Sequence, residues 1–376
     1  MKINARTSQW PVTFFATSFG AGIFFLPQTI GPKAIGSTST IVLLILSALI
    51  SLSGQFLFYK FILATDKKDY VTSAKLLIGN KAANIISVAF ILSMLLIAII
   101  NITTTINVVC QFLSITERIY ASIIISMILI IFFIIFNSKI ERLTSGIAFP
   151  ALLIVFLLSI YFYSQPSIPS TIKPIEQDTF NLLILFPIIL FSFNFSPCIQ
   201  RFAQCSDPTN SLKAFITGIF LILVFITFIV FSLNNIFSPL DIKEIRDTNS
   251  DALSYSANVT QNGIIAFISI ITMILITSGA YTGTLTGIVD TAASLGLKNK
   301  LFTAILVSII TCISGAANFE IVKVIAALST PIIAITVFII PSIFFLQKKN
   351  TSILKKSLLI MNLIIGVGIC AIPAFL

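Results

Sequence analysis

Histidine is absent from this 376-residue chain, and charge is scarce, with Asp, Glu, Lys and Arg together at 10% of positions. Without histidine there can be no H-E-x-x-H metal helix, no Ser-His nucleophile and no bis-His haem ligation. The 13 acids stand singly or in loops, with no Asp-rich diphosphate motif, so an enzyme is a weak reading and no cofactor is implied. The five cysteines, Cys110, Cys198, Cys205, Cys312 and Cys370, lack C-x-x-C spacing and lie mostly in or beside apolar stretches. They read as free packing residues, not as a disulfide framework or metal site. Soluble domains and low-complexity segments are also missing.

Hydrophobic residues fill 57% of the chain, and the few charges divide it into eleven apolar windows. They run Thr7–Pro32, Ala34–Tyr59, Ala82–Thr116, Ile119–Ser138, Leu143–Ile172, Thr179–Gln200, Ala214–Leu240, Ala252–Val289, Leu301–Phe319, Val324–Gln347 and Ser357–Leu376. Each can cross a hydrocarbon core that needs about 20 apolar residues. The polar/apolar alternation of a membrane β-barrel is absent, and runs such as Ile123–Phe136 are apolar on every face. The expected fold is an all-α integral membrane protein with about 11 transmembrane helices, forming one domain over 1–376 and bounded by the lipid bilayer.

A formal net charge of +10 would suggest a nucleic-acid surface in a soluble protein, but here it sorts by topology, and no nucleic-acid partner is expected. Of the 23 basic residues, only Lys33, Arg118, Lys173, Lys243, Arg246 and Lys323 fall in outer segments if the N-terminus is inside. The expected orientation in the cell membrane is therefore N-terminus cytoplasmic and C-terminus outside. The first window is longer than a signal-peptide core and is interrupted by Gly20, Gly22 and Pro27, so it reads as a span. The outer segment Ser238–Asn262 is long enough for a lid helix, the outer stretch Ser164–Asp178 carries three prolines, and the inner stretch Thr65–Lys81 reads as an amphipathic surface helix.

Two windows contain residues that interrupt a helix. Window one holds Thr17-Ser18-Phe19-Gly20-Ala21-Gly22-Ile23 ahead of Pro27; window six holds Pro187 and then Phe191-Ser192-Phe193-Asn194-Phe195-Ser196-Pro197. Either motif alone has a bland explanation, a small-residue packing seam for the first and a proline kink for the second. Their recurrence five helices apart points to a 5+5 inverted repeat, about 7–172 and 179–347, with an extra helix at 357–376. Helices 1 and 6 are then discontinuous, as in transporters whose freed backbone binds substrate.

At these residues the chain resembles the hydroxy and aromatic amino acid permeases of the amino acid, polyamine and organocation superfamily. Ser18-Phe19-Gly20-Ala21-Gly22-Ile23-Phe24-Phe25-Leu26-Pro27 is similar to that family's first-helix motif, and Ser192-Phe193-Asn194-Phe195-Ser196-Pro197 to the Ser-Phe-Asn-His-Ser-Pro stretch of its serine/threonine permease branch. Tyr281-Thr282-Gly283-Thr284-Leu285-Thr286-Gly287 more weakly resembles Tyr-Leu-Gly-Thr-Leu-Glu-Gly. The resemblance implies a leucine-transporter-like, eleven-helix fold and an amino acid substrate, serine/threonine-like or aromatic. Phe195 and Thr286 replace an ionisable His and Glu of the family pattern, which weakens the expectation of proton coupling.

A zwitterionic amino acid needs donors for its carboxylate and acceptors for its ammonium. Backbone N–H groups of Gly20, Ala21 and Gly22 can supply the first, carbonyls near Thr17, Ser18, Phe191 and Ser192 the second, and Asn194 or Ser196 can read the side chain. For a coupling ion, H⁺ or Na⁺, the candidates are Ser278, Thr282 and Thr286, which share one helix face, and Asp290. The alternatives are hydroxyls that bond their own helix and a solvated or capping carboxylate. An ion channel or a non-transporting scaffold are the other classes; the first lacks a repeated polar filter and the second a soluble module. The substrate's identity and the oligomeric state stay open at this level.

Overall fold

Hydrocarbon offers no partner for a backbone N–H or C=O, so an apolar chain must satisfy these groups internally. A computed structural model describes residues 9–113, 115, 117–136, 140–166, 179–205, 210–248, 250–317, 328–348 and 353–371, and among them helix dominates and no strand occurs. The first window forms α1 (Trp10–Ser18), a 3₁₀ segment (Ala21–Phe25), α2 (Leu26–Ile30) and α3 (Pro32–Ile35). There follow α4 (Ser37–Ile62), α5 (Tyr70–Leu113), α6 (Arg118–Phe136) and α7 (Ile140–Ser164). The sixth window is split into α8 (Thr179–Ser192) and α9 (Ser196–Cys205). Beyond it lie α10 (Ser211–Ile236), α11 (Pro239–Asp247), α12 (Ala252–Thr260), α13 (Gly263–Ser294) and α14 (Lys300–Ala317). The described chain closes with α15 (Thr330–Ile333), a π-helical stretch (Ala334–Ile339), α16 (Ile340–Leu346) and α17 (Ile353–Ala371).

Six of these helices are long and apolar enough to cross a membrane, and a seventh span results if α1 and Ala21–Ile35, bent by 53°, count as one. Two shorter apolar helical stretches, Phe149–Ser164 and Thr330–Leu346, lie in the fifth and tenth windows. In α5 the chain turns at Gly79, whose φ of 76° suits glycine, so the expected surface helix before it and the span after it run as separate segments. The stretch expected to form a lid helix folds as two short helices, α11 and α12, and Asn262 caps α13 by accepting from the Ile264 and Ile265 N–H groups. Glu320, Lys323 and positions 167–178 lie outside the described residues.

The core is aromatic where α1 meets α9. Phe14 stacks on Phe195 at 4.4 Å, and both rings pack against Phe215 of α10. Phe202 stands edge-on to Phe14 at 5.0 Å and to Trp10 at 5.1 Å, and Tyr59 of α4 closes on Phe202 and Phe215. Such pairs each add about 0.5–1.5 kcal/mol beyond simple area burial. Phe195 thus serves packing, which an ionised group could not.

The other seam is made of glycines on α13. A Cβ on Gly283 would lie 2.6 Å from Thr17 Oγ1, and one on Gly287 would lie 2.5 Å from the Pro197 carbonyl oxygen. Together they let α13 close on both interrupted helices. Small residues at four-residue spacing are the usual means of such an approach in membranes.

Truncating Phe14 to Ala should lower stability in detergent by about 2–3 kcal/mol, the cavity share of a large-to-small change where lipid leaves little transfer term. Truncating Ile135, which is 66% exposed, should shift the melting temperature far less.

Candidate functional site

The two interruptions meet. Backbone helicity in the first span stops at Phe19 and Gly20 and resumes as a 3₁₀ turn; in the second, Phe193, Asn194 and Phe195 separate α8 from α9. Ser18 Oγ donates to the Ser192 carbonyl at 2.8 Å, joining them directly. A Cβ on Gly22 would stand 3.2 Å from the Phe191 ring. Thr17, Ser18, Gly20, Ala21, Gly22, Phe191, Ser192, Asn194 and Ser196 are all buried and sit on these two segments.

Several groups that the sequence assigns to a ligand already have partners in the protein. The Ala21 N–H donates to Asn101 Oδ1 at 3.0 Å, the Phe191 carbonyl accepts from the Asn194 N–H at 3.0 Å, and the Ser192 carbonyl accepts from Ser18. A carbonyl has a second lone pair and can still accept from an ammonium. Asn194 Oδ1 accepts from the Ser196 N–H at 3.1 Å. Asn194 Nδ2 and Ser196 Oγ are buried with no partner, the state expected of groups that a ligand or water completes.

Side-chain amides hold each interruption open. Gln55 of α4 donates through Nε2 to the Phe193 carbonyl at 2.8 Å and accepts the Phe195 N–H at Oε1 at 2.9 Å. Asn234 of α10 donates to the Pro27 carbonyl at 2.7 Å and accepts the Lys33 N–H at 3.1 Å. Asn101 of α5 takes the Ala21 N–H and donates to its own helix at Ile97, 2.9 Å away. The sequence reading passed over these three residues, although a lone amide in an apolar window is a signal.

The coupling candidates separate. Thr282 donates to the Ser278 carbonyl, and Thr286 donates to the Thr282 carbonyl at 2.9 Å, so these hydroxyls bond their own helix while their oxygen lone pairs stay available. Asp290 is neither solvated nor a cap. It is 7% exposed and ion-paired, with Arg201 Nε at 3.0 Å and Lys300 Nζ at 3.3 Å. Its reading as a solvated or capping group fails because α9, the second half of the split helix, brings Arg201 onto it. Beside this pair, Gln200 accepts the Tyr70 N–H and reaches Ser294 Oγ at 3.4 Å.

A cavity of about 430 Å³ adjoins Phe25 at the end of the 3₁₀ segment and is also lined by Thr104, Asn107, Gln111, Arg118, Thr248, Ser250 and Asp251, among others. Asp251 caps α12 by accepting from the Ser254 N–H at 2.7 Å. Burial pushes its carboxyl above the ordinary carboxylate range, and that hydrogen bond opposes the shift. A smaller cavity, about 20 Å³, adjoins Asn194, Phe191, Ser51, Gln55 and Thr330. Among the described residues no group of His, Cys, Asp and Glu could hold a metal ion.

Residues 12–236 match the tryptophan/tyrosine permease family. The serine transporter SdaC of Escherichia coli (strain K12) is 26% identical over 409 residues, covering 98% of this chain and 93% of that protein. The inner membrane transport protein YqeG of the same strain is 25% identical over 373 residues, covering 89% of each. Among solved structures, the Eremococcus coleocola manganese transporter in complex with an aromatic bis-isothiourea substituted compound superimposes with a TM-score of 0.65 at 13% identity, covering 98% of this chain and 85% of that one. A Na⁺-coupled sialic acid symporter in its substrate-bound outward-open state gives 0.55 at 14% identity, covering 98% and 90%. These likenesses show the fold.

Replacing Gln55 by Leu would strand the Phe195 N–H and remove a donor from the Phe193 carbonyl. A buried unsatisfied group costs about 1–3 kcal/mol, so Q55L should melt several degrees lower in detergent. An unchanged melting curve would show that water replaces the amide.

Proposed function

The chain belongs to the tryptophan/tyrosine permease family, and from that premise we propose that it is a secondary transporter and not an enzyme. It moves a small neutral amino acid, serine/threonine-like or aromatic, across the cell membrane by alternating access. The observation that carries this reading is the junction of two interrupted helices at Ser18 and Ser192, with the unpartnered polar atoms of Asn194 and Ser196 beside it. Interrupted helices at membrane depth are tolerated where they line a site. The relative SdaC, a serine transporter, supports a small amino acid as the cargo.

In this reading the carboxylate lies on the N–H groups of Gly20, Ala21 and Gly22, and the ammonium faces carbonyls at Thr17, Ser18, Phe191 and Ser192. Asn194 and Ser196 contact the side chain. The architecture is eleven spans in two inverted repeats, about 7–172 and 179–347, followed by the helix at 357–376, with the N-terminus cytoplasmic and the C-terminus outside. The 430 Å³ cavity is then the outer vestibule under the lid, and Asp290 with Arg201 and Lys300 closes the inner end. Na⁺ at Ser278, Thr282 and Thr286 is the coupling this geometry favours. Their oxygens keep lone pairs for a cation, whereas the Asp290 carboxylate is already engaged by Arg201 and Lys300.

Uptake of labelled serine, threonine, tryptophan and tyrosine into proteoliposomes, under imposed Na⁺ and H⁺ gradients, tests the proposal. A Na⁺ gradient should drive accumulation of one of the four, and proton-driven uptake abolished by Asp290→Asn would overturn the coupling. Gly22→Val should abolish uptake with the protein inserted and folded, and Asn194→Ala should raise KM or change substrate preference. Because Gly22 also abuts Phe191, the double variant with Phe191→Ala separates packing from binding: restored uptake would mean that Gly22 only makes room for the ring.

Orientation has its own measurement. In a cysteine-free background, Lys243→Cys should react with an impermeant thiol reagent in intact cells, and Lys67→Cys and Lys348→Cys only after the cells are opened. The reverse pattern would invert the topology.

A further inference from the structure

Within the Gly20–Gly22 turn, two of the N–H groups assigned to the substrate carboxylate are occupied, that of Gly20 by the nearby Ser18 carbonyl at 2.9 Å and that of Ala21 by a side chain from another helix. Asn101 is 2% exposed on α5, and its Oδ1 accepts the Ala21 N–H at 3.0 Å. The same oxygen lies where a Cβ on Gly20 would come within 2.5 Å of it, so glycine at position 20 is what admits it. Donation from Nδ2 to the Ile97 carbonyl, at 2.9 Å, fixes which way the amide faces.

The other two amides differ from it. Gln55 and Asn234 each give a donor and an acceptor to the interruption they hold, so the departure of either would cost that interruption two hydrogen bonds and leave a backbone N–H, that of Phe195 or Lys33, without its partner. Asn101 makes one bond to its interruption and the other to its own helix. A ligand oxygen that replaced Oδ1 would leave no backbone group unpaired.

We propose that Asn101 is a built-in stand-in for the substrate carboxylate, filling its place on the Ala21 N–H when the site is empty and yielding it when the amino acid binds. This rests on the reading of the turn as the carboxylate site. An amide oxygen and a carboxylate oxygen are both sp² acceptors, and the charged one makes the stronger hydrogen bond to a backbone N–H. The exchange therefore favours the ligand while sparing the empty protein a buried, unpaired donor. Asn101 is a positioning residue whose displacement reports occupancy to α5. One turn further on, Thr105 pairs with Thr277 of α13 at 2.6 Å, which links that movement to the helix carrying the coupling candidates.

Purified wild type, Asn101→Ala and Asn101→Asp are compared for binding of labelled serine and of serinamide, which lacks the carboxylate, and for melting with and without serine. Asn101→Ala should melt lower when empty, yet bind serine more tightly, by up to about tenfold, since no internal group competes. Asn101→Asp should bind serine about tenfold or more weakly, because its own carboxylate holds the turn, with serinamide much less affected. Should Asn101→Ala fold poorly, Asn101→Ser carries the same expectation, its short hydroxyl being able to bond its own helix but not to reach the turn. Serine binding that weakens in the Ala and Ser variants would make Asn101 a permanent clamp and overturn the proposal. Equal wild-type affinity for serine and serinamide would instead overturn the carboxylate reading of the turn itself.

Discussion

The breaks in the first and sixth apolar windows are governed by one requirement: a backbone group freed inside an apolar bundle must find a partner there. The chain opens its helices at Phe19–Gly20, at Gly31 and at Phe193–Phe195, and at each a buried amide from a neighbouring helix steps in, Asn101, Asn234 and Gln55 respectively. An amide suits the task because it carries a donor and an acceptor without charge. The Ser51 hydroxyl also donates to the Phe193 carbonyl, at 3.2 Å, but the Phe195 N–H is taken by the Gln55 amide, and a carboxylate would bring an ionisation cost.

These amides also lock the bundle together. Gln55 ties α4 to the second interruption, Asn234 ties α10 to Pro27 and Lys33 at the far end of the first window, and Ser18 joins the two interruptions to each other. Around them, packing is sorted by role. Rings fill the space between α1, α9 and α10, and glycines on α13 bring that helix against Thr17 and the Pro197 carbonyl. The Arg201–Asp290–Lys300 cluster holds the far end of α9 to α13 and α14. The interrupted helices therefore meet α13 through close packing at Gly283 and Gly287 and through the Arg201–Asp290 ion pair, while the ring cluster joins them to α10 and α4.

Much of this was legible before any coordinates. Scarce charge and long apolar windows made the membrane helices readable because burial in lipid acts on composition directly, residue by residue. The interruptions at Gly20 and just ahead of Pro197 were readable because glycine and proline have local backbone consequences. The small-residue run Tyr281–Gly287 was matched as a motif, but its reason, the approach of Thr17 and of a carbonyl from another helix, lies in tertiary contact. Phe195 looked like the loss of an ionisable group and is the centre of a ring cluster.

By itself, the sequence determined that the chain is helical, that it lives in a bilayer, and where two of its helices must break. Those properties follow from hydrophobicity and backbone stereochemistry, which each residue carries wherever it sits. Tertiary structure alone decided that Asp290 is paired and not solvated, that Asn101, Gln55 and Asn234 are the partners of freed backbone, and that the Ala21 N–H is already engaged. These depend on which side chains from distant windows come within about 3 Å of one another, and hydrophobic patterning, being the same on every lipid-facing helix, does not encode which helix meets which.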